Sequence, residues 1–511
     1  RIVALGHETG TDAQGNSRFN LQVSLIDVSP ATPVLLSRVQ IDGAYGWIPS
    51  ERDDFAKVFR VLPELGLVVF PFQAWNPSDW RYIGGVQLID AQRDTLVKRG
   101  LLGADGQAPA LRPLKDVDTR TLQAALDEAA AAAASQGGGG TRTVALTRGP
   151  QRTVSPVSQF PDDIRKADKV EVLQRIDAAA RAASGSIVQV SAGYGDSRKS
   201  ILVANTDGVF VTDEQVRTLV RVTVVANGDT GMQTGYQSAG HTMGFELFQK
   251  VDVEDLARDA ARQAITKLNA RPAPSGAMPV VIQKGSGGVL FHEACGHGLE
   301  ADLVAKGGSV YRGKQGEMVA SPLITLVDDG TMAGEWGAIG YDDEGHASQY
   351  NVLIQDGVLT DYMWDFLRSR KEGRRPSGNG RRQSYMHLPM VRMTNTYVLN
   401  GTEDPDGIIS ATPNGVYVAQ LGGGSVDTAS GDFVFGMVEA YLIENGRITE
   451  PLREGNLIGN GPQVLRDIDL LGNDFAMGNP GTCGKDGQGV PVGDGQPTLR
   501  VKTMTIGGTA A

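Results

Sequence analysis

The sequence predicts an α+β protein in three parts: an all-β segment, a middle domain of helices and antiparallel sheet, and a large glycine-rich, β-rich C-terminal domain. The first hundred residues consist of short apolar runs separated by Gly, Pro, Asn and Asp. Between residues 166 and 268, two helical patterns flank three β runs, which is typical of α+β domains. Glycine accounts for 66 of 511 residues, about 13% against a usual share of about 7%.

The predicted all-β segment covers residues 1–106, with strands expected at 21–25, 67–70 and 86–88. Residues 23–27, Val-Ser-Leu-Ile-Asp, resemble residues 86–90, Val-Gln-Leu-Ile-Asp. A strand, turn and Asp repeated at an interval is typical of propeller blades. Chance similarity between two strands explains the same pattern, so the segment is predicted only to be propeller-like.

A helix at 118–134, with its alanine run, and a glycine run at 137–140 predict a helix and linker over residues 107–142. The middle domain is expected at 143–271, with a helix from Lys166, β runs at 187–190, 201–211 and 216–225, and a helix at 253–268; the second β run is broken at Thr206-Asp-Gly208. Pro272 and Pro274 stop that second helix. Residues 272–511 then form the C-terminal domain.

Charge and cysteine content exclude several classes of protein. A net charge of −11 and a pI near 5.2 argue against binding nucleic acid through a broad basic face. No run approaches the 18 or so apolar residues that span a bilayer, so we expect no membrane partner. The two cysteines, Cys295 and Cys483, are too few for a disulfide framework and are expected to be free thiols or metal ligands.

The strongest chemical signal is the hexapeptide His292-Glu-Ala-Cys-Gly-His297. Two imidazoles that hold an ion and a carboxylate that takes a proton from water are the parts of a hydrolytic zinc site. Histidines at i and i+5 lie about 140° apart on an ideal α-helix and cannot reach one ion. A π-bulge or a helix end at Gly296 would bring His297 round.

A third ligand is required, and the sequence offers several. The candidates are His7, His241, His346, His387, Cys295 and Cys483. Cys483 is favoured because it lies in a glycine-rich loop where the backbone can approach an ion, and because thiolate is a strong zinc ligand. Cys295 is the competing thiol and is expected to be packed instead.

Eight segments of the chain, in order, resemble the metal-bearing members of the TldD/PmbA family of metalloproteases over roughly residues 119–511. These segments are 288–300, 327–331, 342–345, 349–354, 378–382, 392–397, 439–443 and 483–488. The resemblance implies that His292, His297 and Cys483 bind zinc and that Glu293 is the catalytic base. It also implies unfolded or short peptides as substrates, cut in a closed cavity.

The same resemblance implies a PmbA-type partner subunit, giving a heterodimer, or else a homodimer, and a cytoplasmic bacterial or archaeal setting. Family members usually begin with an α/β segment, which residues 1–106 do not resemble. We therefore expect this chain to form the family dimer poorly or through a different surface.

Further candidate residues lie outside the metal motif. The basic stretch at 368–382 includes Arg381 and Arg382, which are expected to bind a peptide carboxylate. Three glycines, Gly422, Gly423 and Gly424, would let a substrate strand lie against exposed backbone. The acidic group at 342–344 would bind calcium or form a turn. Two other functions stay open: a zinc amidohydrolase that does not cut peptides, and a binding protein whose active part is the N-terminal β segment.

Overall fold

The computed structural model describes residues 2–11, 17–29, 33–41, 59–62, 66–75, 82–102, 144–152 and 154–509. The predicted helix at 118–134 and the glycine run after it lie outside these residues. Contacts divide the chain into two compact units, Arg1–Thr141 and Arg142–Ala511. None of the described helices combines the length and the apolar composition that a membrane span requires. The domain boundaries predicted at 106, 142 and 271 stay predictions.

The regular elements in the described part of the first unit are all strands. Its strands are β1 (Ile2–Thr11), β2 (Ser17–Asp27), β3 (Val34–Gln40), β4 (Arg60–Leu62), β5 (Leu67–Trp75), β6 (Tyr82–Ala91) and β7 (Leu96–Leu102). They form two antiparallel sheets, β1-β2-β3 and β4-β5-β6-β7. Both sheets contribute to one apolar core, with Leu21 and Val23 from the first sheet and Val68, Phe70 and Ile89 from the second.

The two similar sequence segments occupy inner strands of these two sheets, β2 and β6. Each strand changes register at the same point of the repeat: between Leu25 and Ile26 against β3, and between Leu88 and Ile89 against β7. The likeness therefore extends from sequence to strand pairing. For the described residues of this segment the all-β prediction is confirmed, and the propeller interpretation stays a prediction.

The first part of the second unit consists of two helices packed on a mainly antiparallel sheet. The strands are β8 (Thr147–Arg148), β9 (Ile187–Ala204), β10 (Val209–Gly228) and β11 (Gly231–His241), and the helices are α1 (Lys166–Ala182) and α2 (Val253–Leu268). The sheet is antiparallel except for β8, which pairs with β10 in parallel. Their common core includes Ile176 of α1, Val220 and Val222 of β10, and Ala257 and Ala260 of α2. Short 3-10 helices occur at Pro161–Asp163 and Phe245–Gln249.

Both middle-domain helices are confirmed, but the strands are longer than predicted. Residues 187–190 and 201–204 belong to one strand, β9, which continues through a polar stretch that the apolar pattern missed. Its partner β10 likewise unites the runs at 209–211 and 216–225. The turn between them falls at the predicted break, where Gly208 has a φ of +89°.

Residues 271–507 form two further sheets and a short ribbon. The first sheet contains β12 (Arg271–Pro272), β13 (Gly276–Ile282), β20 (Asn414–Val426), β21 (Asp432–Glu444), β22 (Arg447–Arg453), β23 (Asn456–Asn460), β24 (Ile468–Leu471) and β28 (Leu499–Gly507). The second contains β14 (Leu326–Asp329), β15 (Tyr350–Gln355), β16 (Val358–Leu359), β19 (Asn395–Val398), β25 (Ala476–Met477), β26 (Gly481–Lys485) and β27 (Gln488–Gln496). The ribbon pairs β17 (Gly380–Arg381) with β18 (Met390–Val391).

Five short helices connect these strands: α3 (Gly288–Phe291), α4 (Ala301–Lys306), α5 (Phe366–Lys371), α6 (Pro405–Ser410) and α7 (Gly461–Asp467). The helical segment that starts with α3 lies in the main core. Leu290 and Phe291 are fully buried in the same cluster as Ile282 of the first sheet and Leu326 and Val490 of the second. Both sheets therefore hold the segment that carries the histidine motif.

Candidate metal centre

The histidine motif leaves α-helical geometry at the predicted place. After α3, residues His292–Gly296 form a π-helix and His297–Leu299 a 3-10 turn. The extra residue in the π turn brings the histidines together, with ring centroids 5.0 Å apart. At Gly296, a β-carbon would overlap the sulfur of Met393, so the segment can pack this closely only with glycine.

Cys483 reaches the same place from a tight hairpin. Strands β26 and β27 are joined by Asp486 and Gly487, which both have positive φ, +48° and +72°. This is the type I′ turn that Asp-Gly favours, so the sequence did contain a signal for it. The guanidinium of the buried Arg392 donates hydrogen bonds to the carbonyls of Cys483 and Gln488, and these bonds hold both strands of the hairpin in place.

The structure brings His292, His297 and Cys483 together, with one potential ligand atom of each within 4.8 Å of the others. Cys483 Sγ lies 3.3 Å from His297 Nε2. Burial raises the pKa of Cys483, but hydrogen bonds from the two histidines outweigh it and lower that pKa to about 5. Cys295 is not part of this cluster, since its Sγ donates to the carbonyl of Phe291.

A buried carboxylate, which the sequence analysis did not single out, orients His297. Glu300 Oε2 lies 3.1 Å from His297 Nδ1, which leaves Nε2 free for an ion. Burial raises the pKa of Glu300, but the opposite effect of Lys485 and His297 is larger, and the net result is a pKa lowered to about 2. Glu300 follows His297 by three residues, a spacing that can bring the two side chains into contact, and this is the sequence signal that would have identified Glu300. Lys485 is held in turn by Glu300 and Asp302, at 2.9 and 2.8 Å.

Glu293 faces a cavity of about 580 Å³ beside these ligands. Its Oε2 lies 3.9 Å from His297 Nε2, and its side chain is 20% exposed. The helical segment, the β26–β27 hairpin and the end of β20 line this cavity. Gly424, near the end of β20, belongs to the lining. Gly422 and Gly423 precede it in the strand and are not part of the lining.

Asp494 is a second carboxyl group in the cavity that the sequence analysis missed. It lies on β27, is 8% exposed, and lines the cavity with Glu293. Burial raises the pKa of Asp494 to about 7, with His292 lowering it and Glu293 raising it. Among 59 acidic residues, nothing in the sequence marks this one.

The remaining candidates lie outside the cavity lining. Arg381 is buried, and its guanidinium donates to the carbonyls of Met393 and Pro491. The main-chain N–H of Arg382 donates to Asp343 at 2.9 Å. Substrate binding by these two arginines stays a prediction. Asp342, at the predicted calcium site or turn, accepts hydrogen bonds from three main-chain N–H groups, including those of Glu344 and His346.

The donors of the metal centre fit a zinc ion. Two imidazoles and a thiolate are the ligands that zinc prefers, and three protein ligands are typical of catalytic sites. His292 Nδ1 is buried and has no hydrogen-bond partner among the described residues. A buried polar atom of this kind calls for a partner beyond the protein chain.

Comparisons with known proteins identify the family. Residues 160–268 match the profile of the PmbA/TldA metallopeptidase central domain, and residues 275–508 that of the PmbA/TldA metallopeptidase C-terminal domain. A Haemophilus influenzae protein named "Metalloprotease TldD homolog" is 43% identical over 369 residues, which cover 70% of this chain and 76% of that protein. The chain belongs to the PmbA/TldD family of metallopeptidases.

Other relatives extend the match across bacteria and archaea. A Methanothermobacter thermautotrophicus protein named "Metalloprotease" is 38% identical, with 70% of this chain and 78% of that protein covered. The crystal structure of TldE from Thermococcus kodakarensis has the same fold, with a TM-score of 0.61, 19% identity, and coverage of 86% of this chain and 90% of that one. The α+β prediction and the resemblance to the PmbA/TldD family are confirmed.

Proposed function

We propose that this PmbA/TldD family member is a zinc-dependent peptidase that hydrolyses unfolded or short peptides within the cavity. The observation that carries the proposal is the convergence of His292, His297 and Cys483 beside Glu293 in one cavity. Zinc bound there would supply a Lewis acid that polarises a peptide carbonyl and makes water more acidic. The family membership favours peptides over other amides.

The residues of the chain divide the remaining tasks. His292, His297 and Cys483 would hold the ion, and Glu300 keeps His297 in the tautomer that presents Nε2. Glu293 is a carboxylate in the cavity wall that would take the proton of the attacking water and pass it to the leaving amine. The cavity admits an extended chain more readily than a folded domain, because its volume is about 580 Å³.

The test is the variant Glu293→Gln, which removes the base and keeps the shape of the side chain. We expect zinc content equal to that of the parent protein and a loss of peptide hydrolysis of at least about 100-fold. Elemental analysis and digestion of a peptide library measure the two effects. Loss of zinc from this variant would make Glu293 a ligand, and a parent protein without transition metal would refute the proposal.

We also propose that the chain works with a PmbA-type subunit that lacks the metal motif, or with a second copy of itself. The fold shared with TldE from Thermococcus kodakarensis supports a pairing of two similarly folded chains. Since the described elements of the first unit are all strands, the contact is expected to differ from one built on an α/β segment.

A further inference from the structure

The cavity contains a carboxylate that the hydrolytic mechanism does not use. Asp494 is more than nine-tenths buried and faces the cavity. Among the described residues, none donates a hydrogen bond to its side chain and none forms an ion pair with it. Its carboxyl oxygens keep access to the cavity, so solvent in the cavity is their partner in the free protein, and a ligand can replace that solvent. Such a group is expected where a ligand supplies the missing donor.

The fold holds this side chain in one place. The carbonyl of Asp494 accepts a hydrogen bond of 2.7 Å from the N–H of Gly478, and the residue pairs with Thr396 in the second sheet. Two glycines, Gly288 and Gly478, give room to its Oδ1, because a β-carbon at either position would overlap that oxygen. The carboxylate is therefore positioned before any ligand binds.

The charges around the cavity leave Asp494 without compensation. Lys485, the one lysine or arginine among the described lining residues, is already paired with Glu300 and Asp302. The two positive charges of a divalent ion would be balanced by the negative charges of the Cys483 thiolate and the Glu293 carboxylate, which leaves none for Asp494. Among the described residues, no hydrogen bond joins Asp494 to His292, although His292 is close enough to lower the pKa of Asp494.

We propose that Asp494 binds a protonated primary amine of the peptide substrate, supplied by its N-terminus or by a lysine side chain. An ammonium group offers three donors and the opposite charge. This inference rests on the proposed peptidase function and adds a preference for cationic peptides. It makes Asp494 a specificity-determining residue beside the reacting centre.

The experiment measures binding separately from cleavage. Full-length, zinc-loaded Glu293→Gln protein is titrated by calorimetry with four alanine-rich decapeptides. One has a free amino terminus and one lysine, the second is acetylated, the third has norleucine in place of lysine, and the fourth has both changes. We expect the peptide with both changes to bind roughly tenfold more weakly than the first, and the two intermediate peptides to show which amine is bound.

The double variant Glu293→Gln/Asp494→Asn should lose the preference for peptides with a free amine. It should bind the peptide with both changes as tightly as the Glu293→Gln protein does. Asp486→Asn is the matched control, because Asp486 lines the same cavity but is exposed, and it should keep the preference. Asp494→Ala repeats the measurement if the asparagine variant does not fold.

Equal affinity of the parent Glu293→Gln protein for all four peptides would overturn the assignment, as would a preference that survives the change at Asp494. Absence of binding by every peptide would instead refute the peptidase function on which the inference rests.

Discussion

At the scale of single residues, the two cysteines show how surroundings determine chemistry. Hydrogen bonds from His292 and His297 lower the pKa of Cys483 although it is buried, whereas burial alone raises the pKa of Cys295. The first is poised to be a thiolate at neutral pH, and the second stays a protonated, packed thiol. Only the first matches the requirement of a metal ligand.

We therefore expect Cys483→Ala to lose zinc and Cys295→Ala to keep it. Loss of an outer-shell partner typically weakens metal binding 10–100-fold, so loss of a ligand should cost more than about 100-fold. Competition with a chromogenic chelator measures both affinities. Equal weakening in the two variants would mean that the third ligand is misassigned.

At the scale of elements, the π turn in the helical segment aligns the two histidines. We expect Gly296→Ala to disturb it, because the added methyl group meets the sulfur of Met393. Overpacking of this kind costs about 1–3 kcal/mol and should also lower zinc affinity. Gly484→Ala is the control. Gly484 is next to Cys483 in sequence, and a β-carbon added at this glycine meets no other atom within 4 Å. Chelator competition that finds unchanged affinity in Gly296→Ala would contradict this role of the glycine.

The pairing of α1 with α2 gives a prediction about acid. Arg175 binds Glu254 through two hydrogen bonds of 2.6 and 2.8 Å, which lower the pKa of Glu254 from 4.5 to about 2. The depressed pKa means that the ion pair stabilises the fold fully above pH 4.5 and loses this effect as the pH falls towards 2.

Since both side chains are partly exposed, Glu254→Gln should cost only about 0.5 kcal/mol at pH 7. The difference in urea midpoint between parent and variant should shrink between pH 4.5 and pH 2. A difference that stays constant over this range would show that packing, and not charge, links the two helices.

At the scale of the whole molecule, the chain consists of two units with separate cores, and all three proposed ligands lie in the second. We expect residues 142–511, produced alone, to fold and bind one zinc per chain. Elemental analysis and circular dichroism test this. Loss of zinc on removal of the first unit would show that the metal centre depends on it.

The full chain is expected to assemble with a second, similarly folded chain. Light scattering of the full chain, co-purified with a PmbA-type chain at micromolar concentration, should show a 1:1 complex. Residues 142–511 should form the same complex if the first unit does not contribute to the contact. A full chain that stays at 54.2 kDa with every partner, itself included, would contradict the proposal.

The sequence predicted the elements and ligand types better than the environments around them. The π turn was foreseen because the i, i+5 spacing is incompatible with an α-helix, and Cys483 was favoured by its ligand chemistry. Strand β11 was missed, because its glycines and polar residues hide the alternation that marks a strand. Asp494 was missed because its burial and its lack of a partner arise only when β27 meets the helical segment.

The separation of 186 residues between Cys483 and His297 affects how the protein folds. Closing so long a loop costs chain entropy that only the completed sheets recover, so the metal centre forms late. An ion that binds only the finished structure stabilises contacts that are absent from the transition state. Zinc should therefore slow unfolding and leave the folding rate unchanged. The bound ion would lengthen the lifetime of the native state.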